Sequence, residues 1–311
     1  MLRFATFAFV LLFSTEAFSQ CACSCSGGSA VLSDYTGTLG DKKNRFSVEA
    51  AYDYKSFKPH VHTATHVHNH GTDQHVEEEA GLEMHGMSSV SLGLHYGVTN
   101  KLTVLAFIPF AMLHADPSSY NGIGDASLLG MYKLYGSEKF AVGGVAGVEI
   151  PVGKRMPETL STDVVIGSGS FDPFGGLVAS YSNKKFTARW NGMYKYNTEG
   201  LHNTTYGNVF TSSLSIGYGN ATAAPCLPAS EAKPVWQVNG IALVEQNDAS
   251  YKKRVVVENS GSTILYGGSG VTLTVKKFSL PLSVLIPVYQ HLNGEQHSIA
   301  FKARIGAALT F

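Results

Sequence analysis

The sequence predicts an all-β, single-domain protein that closes into an antiparallel transmembrane β-barrel of about twelve strands. Three observations support this. Apolar and polar residues alternate along repeated segments, short polar joins alternate with long ones, and the chain begins with an export signal. The composition agrees, because 33 glycines, 17 phenylalanines and 15 tyrosines in 311 residues favour β structure over a helical enzyme.

The N-terminus has the three regions of a secretory signal peptide. Arg3 precedes an apolar stretch over 4–13, and Ala17-Phe18-Ser19 then offers a small-residue cleavage site before Gln20. We assign 1–19 to the signal peptide, 20–44 to a periplasmic segment containing cysteines, and 45–311 to the barrel. No later segment supplies the roughly 20 uninterrupted apolar residues of a membrane helix, so a membrane form must cross as strands.

The alternation is clearest in the segments 46–55, 186–197 and 298–311. In the first, the apolar or aromatic set is Phe46, Val48, Ala50, Tyr52 and Tyr54, and the polar set is Ser47, Glu49, Asp53 and Lys55. One face of a membrane-barrel strand meets lipid and the other meets the lumen, which explains this period of two. A soluble β-sandwich would show the same alternation, so the pattern alone does not decide.

The lengths of the connections favour a membrane barrel, which alternates tight periplasmic turns with long outer loops. Strands are predicted near 45–57, 87–99, 102–113, 123–135, 139–152, 171–182, 185–197, 208–219, 235–247, 262–275, 278–291 and 297–311. The short joins are 100–101, 136–138, 183–184 and 276–277, whereas 58–86, 114–122, 153–170, 198–207 and 248–261 are long. The segment 220–234 is the exception, because it is long where a tight turn is expected.

Strand parity predicts which charged side chains face the lumen. They are Glu49, Asp53, His95, Asp125, Lys133, Glu149, Arg189, Lys195, Glu245, Lys302 and Arg304. Charges of both signs suit a hydrated or partly plugged interior. The alternative, that they pair with one another and fill a narrow barrel, stays equally open at this stage.

A His-rich outer loop is predicted over 60–87. Its candidate metal ligands are His60, His62, His66, His68, His70, His75, His85, Met84 and Met87. Imidazole binds Zn, Cu and Ni, and thioethers favour Cu(I), so we predict a flexible, weakly selective binder of transition-metal ions with no required cofactor. The alternative is a solvated polar loop without metal.

The four cysteines have two interpretations. Cys226 falls on the periplasmic side with Cys21, Cys23 and Cys25, which predicts a disulfide from Cys226 to one of these three. Alternatively, the N-terminal thiolates bind a soft metal such as Cu(I) or Zn. A lipid-modified Cys21 is disfavoured, because Gln20 stands where a small residue usually precedes such a cysteine.

Charge and histidine positions exclude two classes of function. Lys+Arg and Asp+Glu are equal at 23 each, so the chain has no basic field to attract nucleic acid. An enzyme is disfavoured, because parity turns His95 and His291 inward and His297 has no evident nucleophile beside it.

The last eight residues, 304–311, resemble the assembly signal of bacterial outer-membrane barrels, which ends in an aromatic residue, here Phe311. The phrases YGVTNKLTVLAFIPF (96–110), NGIGDASLLGMYKLY (121–135) and PVYQHLNGEQ (287–296) resemble the phenol-degradation meta-pathway family of outer-membrane proteins. The resemblance covers about 87–311. It implies a transporter-like barrel in the bacterial outer membrane that passes small, often hydrophobic or aromatic, solutes.

The function predicted from these features is an outer-membrane channel for a small solute, with metal ions gathered at the first loop. Its expected partners are outer-membrane lipid, the barrel-assembly machinery through Phe311, and the solute or metal ion. One alternative is an uptake channel for a hydrophobic or aromatic compound. Another is a non-conducting surface protein that sequesters metal.

Overall fold

A computed structural model describes residues 43–58, 83–116, 119–154, 166–183, 185–220 and 234–311 of the chain. Within these residues the structure is β throughout, apart from one short 3-10 turn at Leu201–Asn203. The strands are β1 Phe46–Phe57, β2 Glu83–Gly97, β3 Leu102–Asp116, β4 Tyr120–Ile123, β5 Ala126–Gly136, β6 Phe140–Ile150, β7 Asp172–Ser182, β8 Phe186–Lys195, β9 Thr204–Thr205, β10 Val209–Gly219, β11 Val235–Asn247, β12 Tyr251–Lys252, β13 Val255–Val256, β14 Ser262–Val275, β15 Phe278–Leu292 and β16 Ile299–Thr310.

The main sheet closes on itself through antiparallel neighbours. Its order is β2-β1-β16-β15-β14-β11-β10-β8-β7-β6-β5-β3, and β3 also pairs with β2, which completes the ring. Strands β4 and β5 both pair with β3 and form one interrupted barrel strand. The predicted barrel of twelve strands is therefore confirmed. Closure leaves no unpaired sheet edge, as a lipid environment requires.

The interruption between β4 and β5 lies opposite a proline. β3 pairs with β5 up to Phe107 and with β4 from Phe110, and Pro109 stands between these two stretches. Proline has no N–H to donate to a ladder, which weakens pairing at this point. The Gly124 N–H instead donates to the Pro109 carbonyl at 2.8 Å, so the backbone stays satisfied.

The two ends of the barrel differ in their connections. One end carries the short joins, including Lys276–Lys277 between β14 and β15, together with the long connection 220–234, and the other carries the remaining longer connections. The first and last barrel strands meet at the short-turn end, where the Phe311 N–H donates to the Phe46 carbonyl at 2.8 Å. At the long-loop end, β9, β12 and β13 form a separate three-stranded sheet. Short turns mark the periplasmic side of outer-membrane barrels, so the long loops face outward.

The outer surface is apolar and has an aromatic band at the short-turn end. The large exposed aliphatic side chains include Val90, Leu92, Leu94, Ile108, Leu128, Leu177, Ile216, Val238, Val271, Leu282, Val284, Ile286 and Ile305. Nearer the short-turn end, the centre of the Tyr218 ring lies 5.1 Å from that of Phe186 and 6.1 Å from that of Trp236, and the ring centres of Phe46 and Phe311 are 6.1 Å apart. Such a band marks the water interface of a membrane barrel. In the part of the chain that the structure describes, no helix is long and apolar enough to span a bilayer.

Two local features differ from the sequence prediction. Strand β2 begins at Glu83, so the predicted outer loop 60–87 ends before Met84, His85 and Met87, which lie on the strand. In β15, a bulge places Val288 as an extra residue, because Tyr266 pairs with Pro287 and Leu265 with Tyr289. The bulge shifts the parity of the end of β15, and His291 is exposed there instead of facing inward.

Candidate functional site: the barrel lumen

The predicted lumen residues are mostly buried inside the barrel. The buried members are Glu49, Asp53, His95, Asp125, Glu149, Lys195, Glu245, Lys302 and Arg304. Lys133 and Arg189, nearer the short-turn end, are half-buried.

Arg304 of β16 is the centre of one ion-pair network. Its Nη2 lies 3.2 Å from Glu49 Oε1 and its Nη1 lies 3.3 Å from Asp53 Oδ1, both on β1. The second Glu49 oxygen lies 3.5 Å from His95 Nε2 on β2. Arginine donates through a rigid fork, so it can hold two carboxylates of a neighbouring strand at once.

Two lysines form further buried ion pairs. The Lys302 Nζ lies 2.7 Å from both carboxylate oxygens of Glu245, and it also lies 4.4 Å from the centre of the Tyr266 ring. The Lys195 Nζ lies 3.2 Å from Glu149 Oε2. These pairs realise the second of the two alternatives for the lumen, in which interior charges bind one another.

Lys55 also points into the lumen, although it was not among the predicted lumen residues. It is only 4% exposed, and its Nζ makes no hydrogen bond to any residue that the structure describes. The Nζ lies 5.2 Å from the centre of the Phe57 ring. The parity of β1 could have found it, since Lys55 shares a face with Asp53 and Glu49.

Apolar side chains fill the long-loop half of the lumen. This outer apolar cluster comprises Phe57, Met84, Met87, Ala111, Leu113, Ala115, Ile166, Tyr206, Val209, Ile241, Leu243, Ile264, Tyr266, Leu285 and Ile299. Phe57 ends β1, and Val209 and Ile299 begin β10 and β16, so these members lie at the long-loop rim. Tyr266, Leu243 and Leu285 are 0% exposed, which shows that the cluster is packed without a water-sized gap around them.

A second, smaller apolar cluster lies on β3 and on β5 to β8. It comprises Leu105, Phe107, Leu129, Met131, Val145, Val178 and Met193. The Phe107 ring meets the His95 ring edge-on at 5.3 Å. Because the ring also lies over Gly93, a Cβ at that glycine would come within 2.3 Å of it. This cluster therefore packs directly against the Arg304 network.

Asp125, in the interruption between β4 and β5, fastens a loop at the outer rim. Its Oδ2 accepts hydrogen bonds from the Ser168 N–H and hydroxyl, both at 2.7 Å, and its Oδ1 accepts one from the Gly153 N–H at 2.9 Å. The anchored loop carries Ile166, which is 1% exposed and belongs to the outer apolar cluster. Asp125 thus anchors the segment whose Ile166 side chain packs into the outer apolar cluster.

The predicted metal and disulfide residues fall largely outside the described part of the chain. This applies to His60, His62, His66, His68, His70, His75, Cys21, Cys23, Cys25 and Cys226. Of the remaining candidates, Met84 and Met87 are buried in the outer apolar cluster and His85 is exposed. Within the described residues, no three His, Cys, Asp or Glu side chains are grouped to hold a metal ion. Metal binding and the disulfide therefore remain predictions.

Comparisons with known proteins agree with the barrel. A family model described as "Putative MetA-pathway of phenol degradation" matches residues 89–280. No curated protein matches the sequence. Among solved structures, the COG4313 outer membrane channel from Pseudomonas putida F1 aligns with a TM-score of 0.62 at 12% identity, covering 89% of this chain and 98% of that chain.

Two further solved structures are less similar. The beta domain of the Bordetella autotransporter BrkA aligns with a TM-score of 0.46 at 10% identity, covering 87% of this chain and 100% of that chain. The CymD monoaromatic hydrocarbon channel aligns with a TM-score of 0.39 at 9% identity, covering 87% of this chain and 89% of that chain. The closed barrel and its apolar outer surface with the aromatic band place the protein in the bacterial outer membrane.

Proposed function

This chain belongs to the MetA-pathway phenol-degradation family, and on that premise we propose that it is an outer-membrane channel for a small, largely apolar solute. The observation that carries the proposal is the outer apolar cluster, which lies in the lumen beneath the long loops. A general diffusion channel has a polar, water-filled interior instead. An apolar interior at the mouth favours solutes that leave water readily.

The energetics of this entry follow from the hydrophobic effect. Transfer of apolar surface out of water yields roughly 25 cal/mol per Å², so a single aromatic ring burying on the order of 150 Å² would gain about 4 kcal/mol. A polar solute of the same size would lose its hydration without such a gain. The outer apolar cluster therefore selects by polarity as well as by size.

Passage of a solute requires that the packed side chains of the outer apolar cluster change rotamer. Met84 and Met87 are 3% and 4% exposed at the long-loop end of β2. Methionine has three rotatable bonds and a polarizable sulfur, so it can repack around solutes of different shape. We expect small ion conductance in planar bilayers, because the outer apolar cluster narrows the lumen with side chains that ions cannot wet.

Substitutions on the two faces of β2 test the channel. Met87→Trp adds bulk inside the lumen, whereas Val90→Trp adds the same side chain on the lipid face, where Val90 is 39% exposed. The readout is initial uptake of radiolabelled toluene by intact cells of a porin-deficient host, with folded barrel quantified by its heat-modifiable gel mobility.

We expect the native chain and Val90→Trp to raise uptake above that of cells carrying the empty vector. Met87→Trp should bring uptake back near the empty-vector rate at an equal amount of folded protein. A native chain that does not exceed the empty vector would overturn the proposed channel.

We propose separately that the first loop binds transition-metal ions. What supports this is the density of histidines from His60 to His75 in the sequence. Isothermal titration of Zn, Cu and Ni into the mature barrel, beside a variant with 60–82 replaced by a Gly/Ser loop, tests it. Heat of binding that disappears with the loop is the expected result. Equal titrations of the two proteins would remove the loop as a metal site, and no heat in either would remove metal capture altogether.

A further inference from the structure

We propose that Lys55, beside Lys302, binds the carboxylate head of a solute whose apolar body lies in the outer apolar cluster. This inference rests on the proposed channel and specifies its substrate class as small apolar or aromatic carboxylates. The two lysines are register partners on the adjacent strands β1 and β16, and both are buried in the lumen.

The neighbouring cations are already occupied by acids of the protein. Glu245 holds Lys302 through both of its oxygens, and Arg304 is held by Glu49 and Asp53. Lys55 differs from both, since its Nζ has no hydrogen-bond acceptor among the described residues although the residue is 4% exposed. A buried ammonium without an anion is costly, so the arrangement favours an anion brought from outside.

The position of Lys55 decides what kind of anion fits. Its register partner on β2 is Met87, and the next inward residue along β1 is Phe57, both members of the outer apolar cluster. Lys302 likewise lies over the Tyr266 ring of that cluster. Both ammonium groups thus border the apolar cluster, and towards the short-turn end they are followed by the acids of the Arg304 network.

A simple inorganic anion would satisfy the charge of Lys55 but leave the apolar side chains unused. A wholly apolar solute would contact the apolar side chains but leave the charge of the Lys55 ammonium unsatisfied and desolvated. A carboxylate on an aromatic or branched aliphatic body satisfies both, because its oxygens accept from Nζ while its body replaces contacts within the cluster. Because Lys55 lies deeper in the lumen than the rim residues of the cluster, we expect the carboxylate to enter first and the apolar body of the solute to remain in the outer apolar cluster.

The test uses benzoate and benzamide, which share size and shape and differ in charge. Isothermal titration measures the binding of each to the full mature barrel in micelles, for the native chain, Lys55→Met and Lys55→Arg. The matched control is Lys58→Gln, which removes an exposed lysine on the same side of the barrel, just beyond β1. Heat-modifiable gel mobility verifies that each variant is folded.

We expect benzoate to bind the native chain more tightly than benzamide does. Lys55→Met should weaken benzoate binding by about tenfold or more and leave benzamide unchanged, whereas Lys55→Arg and Lys58→Gln should retain native affinity for benzoate. Should Lys55→Met fail to fold, the comparison of benzoate with benzamide on the native chain, and the retention of affinity by Lys55→Arg, still decide the proposal.

Three results would overturn the inference. Equal binding of benzoate and benzamide, or benzoate binding unaffected in Lys55→Met, would show that the carboxylate is not recognised here. Absence of benzoate binding to the native chain would do the same. None of these results changes the outcome of the toluene uptake assay, which tests the broader channel proposal independently.

Discussion

Lys302 of β16 and Glu245 of β11 form a buried ion pair with both carboxylate oxygens 2.7 Å from Nζ. Strands β14 and β15 lie between these two strands in the barrel wall, so the pair reaches across the lumen. The lysine side chain is 3% exposed and the glutamate 1%. The contact therefore joins distant parts of the wall where neither group can recover its hydration.

Glu245→Ala should destabilise the barrel by about 3–5 kcal/mol, because Lys302 would remain as a second buried cation without its anion. The double substitution Glu245→Leu with Lys302→Met should recover most of that loss, since no charge is then left in the apolar surroundings. Equilibrium urea unfolding in micelles, followed by tryptophan fluorescence, measures both. A double variant as unstable as the single one would show that the cost lies in packing rather than charge.

Lys55→Met should raise the free energy of unfolding by roughly 1–3 kcal/mol, because it removes a buried ammonium for which the described part of the chain supplies no hydrogen-bond acceptor. The same urea titration measures the change, and Lys58→Gln, at an exposed position, should leave stability within about 0.5 kcal/mol. Loss of stability in Lys55→Met would mean that its contact with the Phe57 ring outweighs the cost of burial.

Gly93→Val should destabilise the barrel by about 1–3 kcal/mol through overpacking. A Cβ at this position would lie 2.3 Å from the Phe107 ring, which already contacts His95. Gly130→Ala is the matched control, because the nearest atom to its Cβ would be a Leu102 methyl at 3.8 Å. Comparable midpoints of thermal unfolding for the two variants would contradict this account of the glycine.

Phe311→Ala should reduce the folded barrel recovered from the outer membrane of cells more than it reduces stability in micelles. In the structure the Phe311 ring contacts Phe46 at 6.1 Å, a contact worth about 0.5–1.5 kcal/mol. A larger loss in cells would reflect recognition of the terminal aromatic by the assembly machinery. The measurement compares heat-modifiable protein in membrane fractions with protein refolded into detergent, and equal losses in the two would argue against that recognition.

Strand positions followed closely from sequence because alternation is a local property. The predicted strands 235–247 and 262–275 coincide with β11 and β14. Prediction was poorer at the start of β2, because Met84, His85 and Met87 break the simple alternation there. Pairing with β3 extends the strand back to Glu83. The bulge in β15 was also missed, because one extra residue changes the facing of His291 without changing composition.

The sequence by itself determined the number of strands and the period-two alternation that divides each strand into two faces, since both depend on residues a few positions apart. Only the tertiary structure decided which charges meet: Arg304 and Glu49 are 255 residues apart in the chain, and closure of the barrel makes their strands neighbours. It also decided that Lys55 has no such acceptor among the residues that the structure describes and that apolar side chains from separate strands pack together in the outer lumen. Period-two alternation tells only which face a residue occupies, whereas barrel closure and register determine what it touches there.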